Sequence, residues 1–505
     1  MPTYESSYPP NLYQASRPRA NRGSGFQLIA NGRLGAALKR VLTSSNLLCL
    51  LWGYCLYWGE RRVIKDAVRD CDWSKWENWP TDAMPKHVVL VADPQLIDAH
   101  TYPGRNILFQ GLTEYYVDTY MHRAWESIEN YLYSDATIFL GDLFDGGREW
   151  EHDPWVREYQ RFDKIFLSRI GKLTLREVAG NHDIGFGDTI NVDALNRFRA
   201  YFGEPSRELK IGNHSFVILD TNSMMNKQNE EVYGPAWNFF NRITEDIQNA
   251  KATALPSILL THIPLFRAND ASCGPKREGA PSLPISRGYQ YQTVVDPQLT
   301  ETILDKLRPV AVFSGDDHDA CRFEHIYAGG ARKAVEYTVK TLSIAMGVSY
   351  PAFEMLSLWN PDGVDAGHTT FQTKLCMLPS QFEIFKSYFK ILLLTLVVIG
   401  YASVTSYKSS KKYGRTPGID FLYGGSGSSV NDKKDKSFRV YPAPIMMAIA
   451  QFRALKRGKF GIKLGNIIMR IRGRPGTLQR EFTDRLWYVM CIVGSMYLYL
   501  ILQWE

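Results

Sequence analysis

The chain reads Gly141-Asp142-Leu143-Phe144-Asp145 and, further on, Gly180-Asn181-His182-Asp183. These two stretches are the centre of five short polar segments that together indicate the fold. The other three are Ala92-Asp93-Pro94-Gln95, Thr261-His262 and Gly315-Asp316-Asp317-His318-Asp319. Each of the five follows an apolar run that predicts a buried strand, at 87–91, 136–140, 173–179, 258–260 and 310–313. Open α/β sheets place their sites at the carboxyl ends of strands. We therefore expect these polar side chains to converge at one edge.

The five segments offer a mixed set of metal ligands. Asp93 and Asp142 supply charged oxygens, Asn181 supplies an amide oxygen, and His262 and His318 supply imidazole nitrogens. This mixture suits Mn²⁺, Fe or Zn²⁺ better than Ca²⁺. A single Asp after a strand usually caps a helix, and Gly-Asn-His-Asp alone could form a turn. All five segments in this order favour a two-metal site that clamps a phosphate.

The order of the segments resembles that of the calcineurin-like metallophosphoesterases. Two features narrow the resemblance: Ala-Asp-Pro-Gln with Tyr102-Pro103-Gly104 after it, and Ser314–Asp319 followed by Cys321. They are similar to the branch of yeast cell-division-cycle protein one and the animal post-GPI-attachment factor. Members of that branch are membrane-embedded phosphoesterases that remove ethanolamine phosphate from mannoses of glycosylphosphatidylinositol (GPI) anchors. The resemblance implies an α/β sandwich of two mixed β-sheets flanked by helices, and about three transmembrane helices are expected beside it.

The resemblance also implies roles for individual residues. Asp93, Asp142 and His318 would hold the first metal, and Asp142 would reach the second metal together with Asn181 and His262. In the third segment, the resemblance implies a catalytic imidazole at His182 and a carboxylate at Asp183 that orients it.

Two positions depart from the pattern of the superfamily. Gln95 stands where the first motif usually has His, and an amide oxygen is a weaker ligand. Asp316 stands where the last motif has its first His, and an anionic oxygen there tilts the expected pair of divalent ions towards Mn²⁺ over Zn²⁺.

Other residues carry weaker predictions. Arg267 is expected to pair with phosphate or to be a surface-loop arginine. Tyr289, in a Gly- and Pro-rich loop, could pack against a sugar or anchor its loop in the core. Tyr102 could rim the pocket, and Asp145 is expected to hold a loop rather than a metal. Asn213 begins an Asn-His-Ser sequon, which predicts an exposed glycosylation site.

Three stretches are apolar enough for lipid, and the charge is unevenly spread. The net charge is +7, yet residues 408–485 alone carry 18 Lys and Arg against 5 Asp and Glu. Basic flanks belong on the cytosolic side of a membrane. The first and last apolar stretches could instead be core helices. The resulting organisation is a disordered cytosolic amino terminus (1–40), a span (41–59), a luminal catalytic domain (60–385), a span (388–407), a basic cytosolic loop (408–485) and a span (486–503). An amphipathic helix or a solvated basic segment could occupy that loop.

Seven cysteines divide between the two kinds of region. Three fall in the apolar stretches, where they are expected to be small apolar filler: Cys49, Cys55 and Cys491. The other four lie in the predicted luminal region, where an oxidising compartment permits up to two disulfides: Cys71, Cys273, Cys321 and Cys376. The sequence leaves their pairing open.

Strands and helices are expected to alternate over residues 86–378, after a short connector at 61–84. The helices are predicted at 114–133, 154–169, 192–202, 233–250 and 296–307. Further strands are predicted at 215–220, 336–344 and 353–358. Because these late strands come without intervening helices, two mixed sheets are expected rather than one doubly wound sheet.

The leading functional prediction is a two-metal phosphodiesterase that removes ethanolamine phosphate from a GPI mannose in the endoplasmic reticulum or early secretory membrane. GPI-anchored proteins or GPI lipid and membrane lipids would be its partners. Nucleic acid is not expected, because the acidic catalytic region lacks the basic groove that binding requires. The alternatives are a nuclease or phosphoprotein phosphatase on the same scaffold, or a non-catalytic membrane adaptor.

Overall fold

The computed structural model of the chain describes residues 42–250, 254–288, 291–361, 369–413 and 476–502. Two compact units are present. Of the described residues, 42–54, 391–413 and 476–496 form one unit, and those between 55 and 390 together with 497–502 form the other, the catalytic unit. The predicted cytosolic amino terminus at 1–40 and most of the predicted basic loop at 408–485 lie outside the described residues.

The catalytic unit is built on two mixed β-sheets. The first has the strand order β11-β10-β1-β2-β3 and the second has the order β4-β5-β6-β7-β9-β8. In the first sheet β1, β2 and β3 are parallel, and in the second β5, β6, β7 and β9 are parallel. The strands are β1 Lys86–Val91, β2 Ala136–Phe139, β3 Leu173–Leu175, β4 Arg207–Ile211, β5 His214–Ile218, β6 Ser257–Leu260, β7 Ala311–Ser314, β8 Cys321–Tyr327, β9 Arg332–Thr338, β10 Ala352–Leu358 and β11 Phe371–Met377.

The inner faces of the two sheets form the central core. Successive side chains of a strand point to opposite faces, so Val88 and Leu90 of β1 face inward. They pack with Ile218, Leu260 and Phe313 of the second sheet. Both faces of the central strands are buried, which explains why they read as continuous apolar runs.

Helices cover the two outer faces. Val89 and Val91, the alternate residues of β1, pack against helices on the outside of the first sheet, including Trp125 and Phe162. On the second sheet, helices contribute residues such as Phe240 to the outer core. The helices of the catalytic unit are α2 Val63–Asp70, α3 Ile107–Tyr131, α4 His152–Ile165, α5 Asn181–Ile184, α6 Val192–Phe202, α7 Thr221–Met224, α8 Glu230–Ala250 and α9 Pro297–Leu307.

The five predicted helices are present, and the two mixed sheets are confirmed. Three strands were not predicted, namely β4, β8 and β11. These three lie at sheet edges, and the partly exposed faces of β4 and β8 weaken the apolar signal of a buried strand. The predicted connector at 61–84 is wrong over its first part, since α2 extends to Asp70.

Two helices among the described residues are long and apolar enough to cross a membrane: α10 Gln381–Lys412 and α11 Leu478–Leu502. They contain or overlap the predicted spans at 388–407 and 486–503. Within the predicted span at 41–59, α1 Ser44–Tyr57 has 14 residues, fewer than the roughly 17 needed to cross a bilayer. A π-helical turn, Trp58–Arg62, follows it. The described residues therefore provide two candidate spans rather than the expected three.

Two disulfides form within the catalytic unit. Cys71, just after α2, bonds to Cys376 of β11, and Cys273 bonds to Cys321 at the start of β8. The structure thus supplies the pairing that the sequence left open. The second disulfide joins a loop to the chain immediately after the fifth polar segment.

Candidate metal centre

The five polar segments meet at one edge of the sandwich. Each begins just beyond a strand: Asp93 follows β1, Asp142 follows β2, Asn181 lies beyond β3, His262 follows β6 and Asp316 follows β7. Because these strands are parallel within their sheets, their carboxyl ends share an edge. The predicted convergence is therefore present.

Asp93, Asp142 and His262 bring three potential metal-ligand atoms close together. One ligand atom from each lies within 4.8 Å of the other two, and all three residues are buried. Burying two carboxylates this close together is costly unless a positive charge accompanies them. The cluster therefore has the composition and geometry of a metal-binding triad.

His262 has one nitrogen available for a cation. Its Nδ1 lies 2.8 Å from the Leu140 carbonyl oxygen and donates to it, so Nε2 is the nitrogen that faces the site and that a cation could bind in place of a proton. Nε2 lies 2.8 Å from Asn181 Oδ1, 3.3 Å from Asp142 Oδ1 and 3.6 Å from Asp316 Oδ1. Burial lowers the pKa of His262, but the carboxylates of Asp142 and Asp316 outweigh it and raise the pKa well above its ordinary value.

Unsatisfied oxygens show that the site fits a metal. Asp93 Oδ2 and Gln95 Oε1 are buried and have no hydrogen-bond partner within the part of the chain that the structure describes. Burial raises the pKa of Asp93 well above its usual range. A buried acceptor without a donor costs about 1–3 kcal/mol. A cation would satisfy both oxygens, so Gln95 is placed as a possible ligand through its amide oxygen.

His318 lies outside the compact triad. Its backbone is left-handed, with φ 64°, and burial lowers the pKa of its imidazole, which leaves the ring neutral and able to bind a metal. The structure therefore groups Asp93 and Asp142 with His262, whereas the resemblance implied His318 as the third ligand of the first metal.

Strained backbone is concentrated at the site. Asp93, Gln95, Asp142, Asp316 and His318 all have positive φ, between 37° and 66°. Left-handed backbone costs about 1–2 kcal/mol for a residue with a Cβ. Such strain clusters where side chains must be aimed at a ligand, so five predicted metal ligands share a conformation that unrelated loop residues seldom adopt.

Gly180 lets the second and third segments approach closely. A Cβ at this position would overlap Asp142 Oδ1 and the Asp142 backbone. No side chain fits there without displacing the carboxylate that lies at the centre of the site.

His182 lies beside the triad and is held in one orientation. Its backbone N–H donates to Asp142 Oδ1 at 2.9 Å, and its Nδ1 lies 2.8 Å from the Asp145 carbonyl oxygen. Burial lowers the pKa of His182, but Asp142 and then Asp145 raise it to about 9. Because Nδ1 is taken up by the Asp145 carbonyl, Nε2 is the ring nitrogen left for a proton transfer.

The prediction that Asp183 orients His182 is wrong. The carboxylate of Asp183 instead accepts hydrogen bonds from the backbone N–H groups of Gly180, Leu143 and Phe144, at 2.9–3.2 Å. Asp183 therefore ties the second segment to the third, while Asp145 takes the orienting position. Asp145 is also held by Gln95 Nε2, at 2.9 Å. The sequence signal for Asp145 was the second Asp of Gly-Asp-x-x-Asp.

The structure also corrects Arg267. This residue is buried, and its Nη2 pairs with the buried Glu336 at 2.7 Å while its Nη1 donates to Cys321 Sγ at 3.0 Å. Its guanidinium also lies over the ring of Phe323. Arg267 is thus committed to the core and is neither a phosphate contact nor a surface-loop residue.

The remaining predicted residues lie as follows. Tyr102 is half-buried, and the guanidinium of Arg105 lies 3.7 Å from its ring centre. Asn213 is exposed at the turn between β4 and β5, and its Nδ2 donates to the Asn360 carbonyl oxygen at 2.9 Å. Tyr289 lies outside the described residues.

Comparison with known proteins places the chain in a family. Residues 87–320 match the calcineurin-like phosphoesterase family. The chain is 41% identical over 366 residues to Cell division control protein 1 of Saccharomyces cerevisiae, covering 70% of this chain and 74% of the yeast protein. The chain is a calcineurin-like metallophosphoesterase. It is therefore a metal-dependent phosphoric ester hydrolase, and the predicted family and enzyme class are confirmed.

The metallophosphoesterase also has more distant relatives. It is 28% identical over 298 residues to Metallophosphoesterase 1 of Rattus norvegicus, covering 55% of this chain and 70% of the rat protein. A solved dimetal phosphatase from Danio rerio is 14% identical, with a TM-score of 0.34, and the match covers 58% of this chain and all of the fish protein.

Proposed function

We propose that this metallophosphoesterase removes ethanolamine phosphate from a mannose of GPI anchors at the membrane of the endoplasmic reticulum or early secretory pathway. The observation that carries the proposal is the placement of Gln95 and Asp316, the two departures that indicate the GPI branch. Gln95 Oε1 is a buried acceptor without a hydrogen-bond donor among the described residues, and Asp316 Oδ1 faces His262 Nε2. These two observations support ligand roles for both residues.

The ligand set supports two divalent ions, with Mn²⁺ favoured over Zn²⁺ or Fe. The residues that would hold them are Asp93, Gln95, Asp142, Asn181, His262, Asp316 and His318. Most of these donors are oxygens, which harder cations prefer. Such ions supply positive charge for the phosphate oxygens and acidify water. Metal analysis of the purified protein tests their identity, and a preparation with full activity and no Mn²⁺ would reject this choice.

His182 would protonate the leaving group. In the proposed reaction a water molecule loses one proton to the solvent and its oxygen bonds to phosphorus, while the bond between phosphorus and the mannose oxygen breaks. The protonated His182 gives its Nε2 proton to that oxygen, which leaves as a hydroxyl group, and ethanolamine phosphate is the other product. The Asp145 carbonyl holds the opposite ring nitrogen, so the ring keeps its orientation while the proton moves.

The candidate membrane helices support a lipid-borne substrate and a multi-pass topology. Disulfides at Cys71–Cys376 and Cys273–Cys321 are typical of an oxidising compartment. Together with the basic residues of 408–485 they favour a luminal catalytic unit. A span at 41–59, in which the π-helical turn Trp58–Arg62 extends the 14 residues of α1, and glycosylation of Asn213 belong to the same proposal. The partners would be GPI lipid or GPI-anchored proteins and membrane lipids.

Mass spectrometry of GPI glycans tests the substrate. Cells that lack the protein should retain ethanolamine phosphate on one mannose, and the wild-type chain should reverse this whereas the His182→Ala chain should not. Glycans that are unchanged in cells lacking the protein would remove GPI anchors from consideration.

A further inference from the structure

The first turns of α3 expose a contiguous group of large apolar side chains. Ile107, Leu108, Phe109 and Leu112 are between 61% and 83% exposed, and we call them the α3 patch. Single exposed apolar residues are ordinary, but several together on one short segment mark an interaction surface.

The helix that carries the α3 patch also contacts the ends of the candidate membrane helices. Tyr115, three residues beyond Leu112, donates its hydroxyl to the Ile501 carbonyl oxygen in the last turn of α11, at 2.7 Å. The ring of Tyr116 lies 5.4 Å from the ring of Phe385 near the start of α10. All of these residues belong to the catalytic unit. The helix α3 therefore carries the patch and also contacts the start of α10 and the end of α11.

Three large aromatic side chains are also exposed near the start of α10. Phe382, Phe385 and Phe389 are all exposed, and their spacing of three and four residues places them on one face of the helix. Aromatic side chains at the end of a spanning helix are typical of the membrane–water interface. This indicates that the neighbouring α3 patch also lies at the membrane–water interface.

Hydrogen bonds connect the α3 patch to the metal centre. Gln110, within the patch segment, donates from Nε2 to the Asp98 carbonyl oxygen at 2.7 Å. The Asp98 N–H donates to Thr101 Oγ1 at 2.9 Å, and that hydroxyl donates to Asp145 Oδ2 at 2.5 Å. Asp145 in turn holds His182. The loop after β1 is thus hydrogen-bonded both to Asp145 at the metal centre and to Gln110 in the patch segment.

We propose that the α3 patch inserts into the bilayer surface and docks the metal centre beside a phosphodiester on a lipid head group. This inference rests on the proposed function, because it requires the catalytic unit to be tethered by α10 and α11. Lipid is the occupant because the helix that carries the patch contacts the ends of both candidate membrane helices within one turn of Leu112. The stacked Arg105 and Tyr102 next to the patch are side chains that suit a head-group layer.

Photocrosslinking tests the lipid contact directly. In the full-length protein in phosphatidylcholine nanodiscs, Phe109→p-benzoylphenylalanine should crosslink to an alkyne-tagged phosphatidylcholine. The control is Ile326→p-benzoylphenylalanine, since Ile326 is 61% exposed on the edge strand β8 and should give at most a tenth of that product. Crosslinking of Phe109 to a second copy of the chain, or to neither lipid nor protein, would overturn the inference.

Activity on two substrates tests the consequence. The double variant Leu108→Ser/Phe109→Ser should keep its kcat/KM for soluble bis(p-nitrophenyl) phosphate within twofold, which also shows that it is folded. Its turnover of a nanodisc-borne glycolipid that carries ethanolamine phosphate should fall at least tenfold, and Ile326→Ser should change neither value. A double variant with unchanged turnover of both substrates contradicts the docking role.

The two proposals fail in different ways. A wild-type protein that cleaves the soluble diester but not the glycolipid rejects the GPI substrate, and the crosslink at Phe109 still decides the lipid contact. A wild-type protein that cleaves both, combined with no crosslink at Phe109, rejects the docking inference alone.

Discussion

Within the metal centre, Asp142 and His182 are neighbours with different chemical capacities. Asp142 is fully buried next to Asp93 and His262, and its Oδ1 accepts the His182 N–H. The imidazole of His182 is hydrogen-bonded through Nδ1 to the Asp145 carbonyl oxygen. One residue is therefore suited to hold a cation and the other to transfer a proton.

Substitution separates these two roles. We expect His182→Ala to keep its metal and to lose about 10²- to 10⁴-fold in kcat, the usual contribution of a general acid. Asp142→Ala should lose metal as well as activity, because it removes the carboxylate at the centre of the ligand set. Metal content by mass spectrometry and turnover of bis(p-nitrophenyl) phosphate check both expectations.

The exposed His152 provides the matched control, and His152→Ala should resemble the wild type in both measurements. Full activity of His182→Ala would show that the proton comes from elsewhere.

Arg267 stabilises the core through its ion pair with the buried Glu336. Arg267→Met would leave the carboxylate of Glu336 buried without its cation, although His325 Nε2 still lies 2.6 Å from it. Removing one partner of a buried ion pair costs about 3–5 kcal/mol. We expect a large fall in the free energy of unfolding by denaturant titration, with an unchanged KM in the folded protein. A raised KM at unchanged stability would instead assign Arg267 to the substrate.

At the scale of the element, β10 carries a buried carboxyl group in the middle of the first sheet. Glu354 is only 5% exposed, and its Oε1 accepts a hydrogen bond from Thr373 Oγ1 at 2.5 Å. Burial raises its pKa from 4.5 to about 7, against smaller opposing effects of Thr373 and Lys276. At pH 5 to 6 the folded protein thus retains a proton that the unfolded chain has largely released.

This buried acid makes stability depend on pH. Its contribution is fully present below pH 4.5 and is lost as the pH rises through 7, because the unfolded chain then binds fewer protons than the folded one. Glu354→Gln should therefore raise Tm at pH 8 and leave it nearly unchanged at pH 5. Differential scanning fluorimetry checks this, and Glu324→Gln on the exposed strand β8 is the control. A gain of equal size at both pH values would contradict the assignment.

At the scale of the whole molecule, the Cys71–Cys376 disulfide joins positions 305 residues apart in the sequence. It links the segment after α2 to the edge strand β11. Closing so long a loop restricts the unfolded chain and is worth about 6 kcal/mol on the entropic model.

The double variant Cys71→Ser/Cys376→Ser should consequently lower Tm by several degrees. Reduction of the wild-type protein should act in the same direction, and Cys491→Ser, a change at a free cysteine, should have no such effect. A double variant with the wild-type Tm would show that the bond adds nothing to stability.

The family, the two mixed sheets and the convergence of the five polar segments were predictable from the sequence. The polar segments directly follow strands, and the local pattern of apolar runs and short polar segments specifies both. The five long helices of the catalytic unit were predictable for a similar reason, since their apolar periodicity is local.

The tertiary structure alone decided which polar groups meet. The sequence could not show that Asp145 rather than Asp183 holds His182, that Arg267 is buried against Glu336, or which cysteines pair. Each of these contacts joins segments that only the packing of strands and helices brings together. The edge strands also depended on the fold, because an edge strand is defined by its neighbour in the sheet and not by a fully buried apolar run of its own.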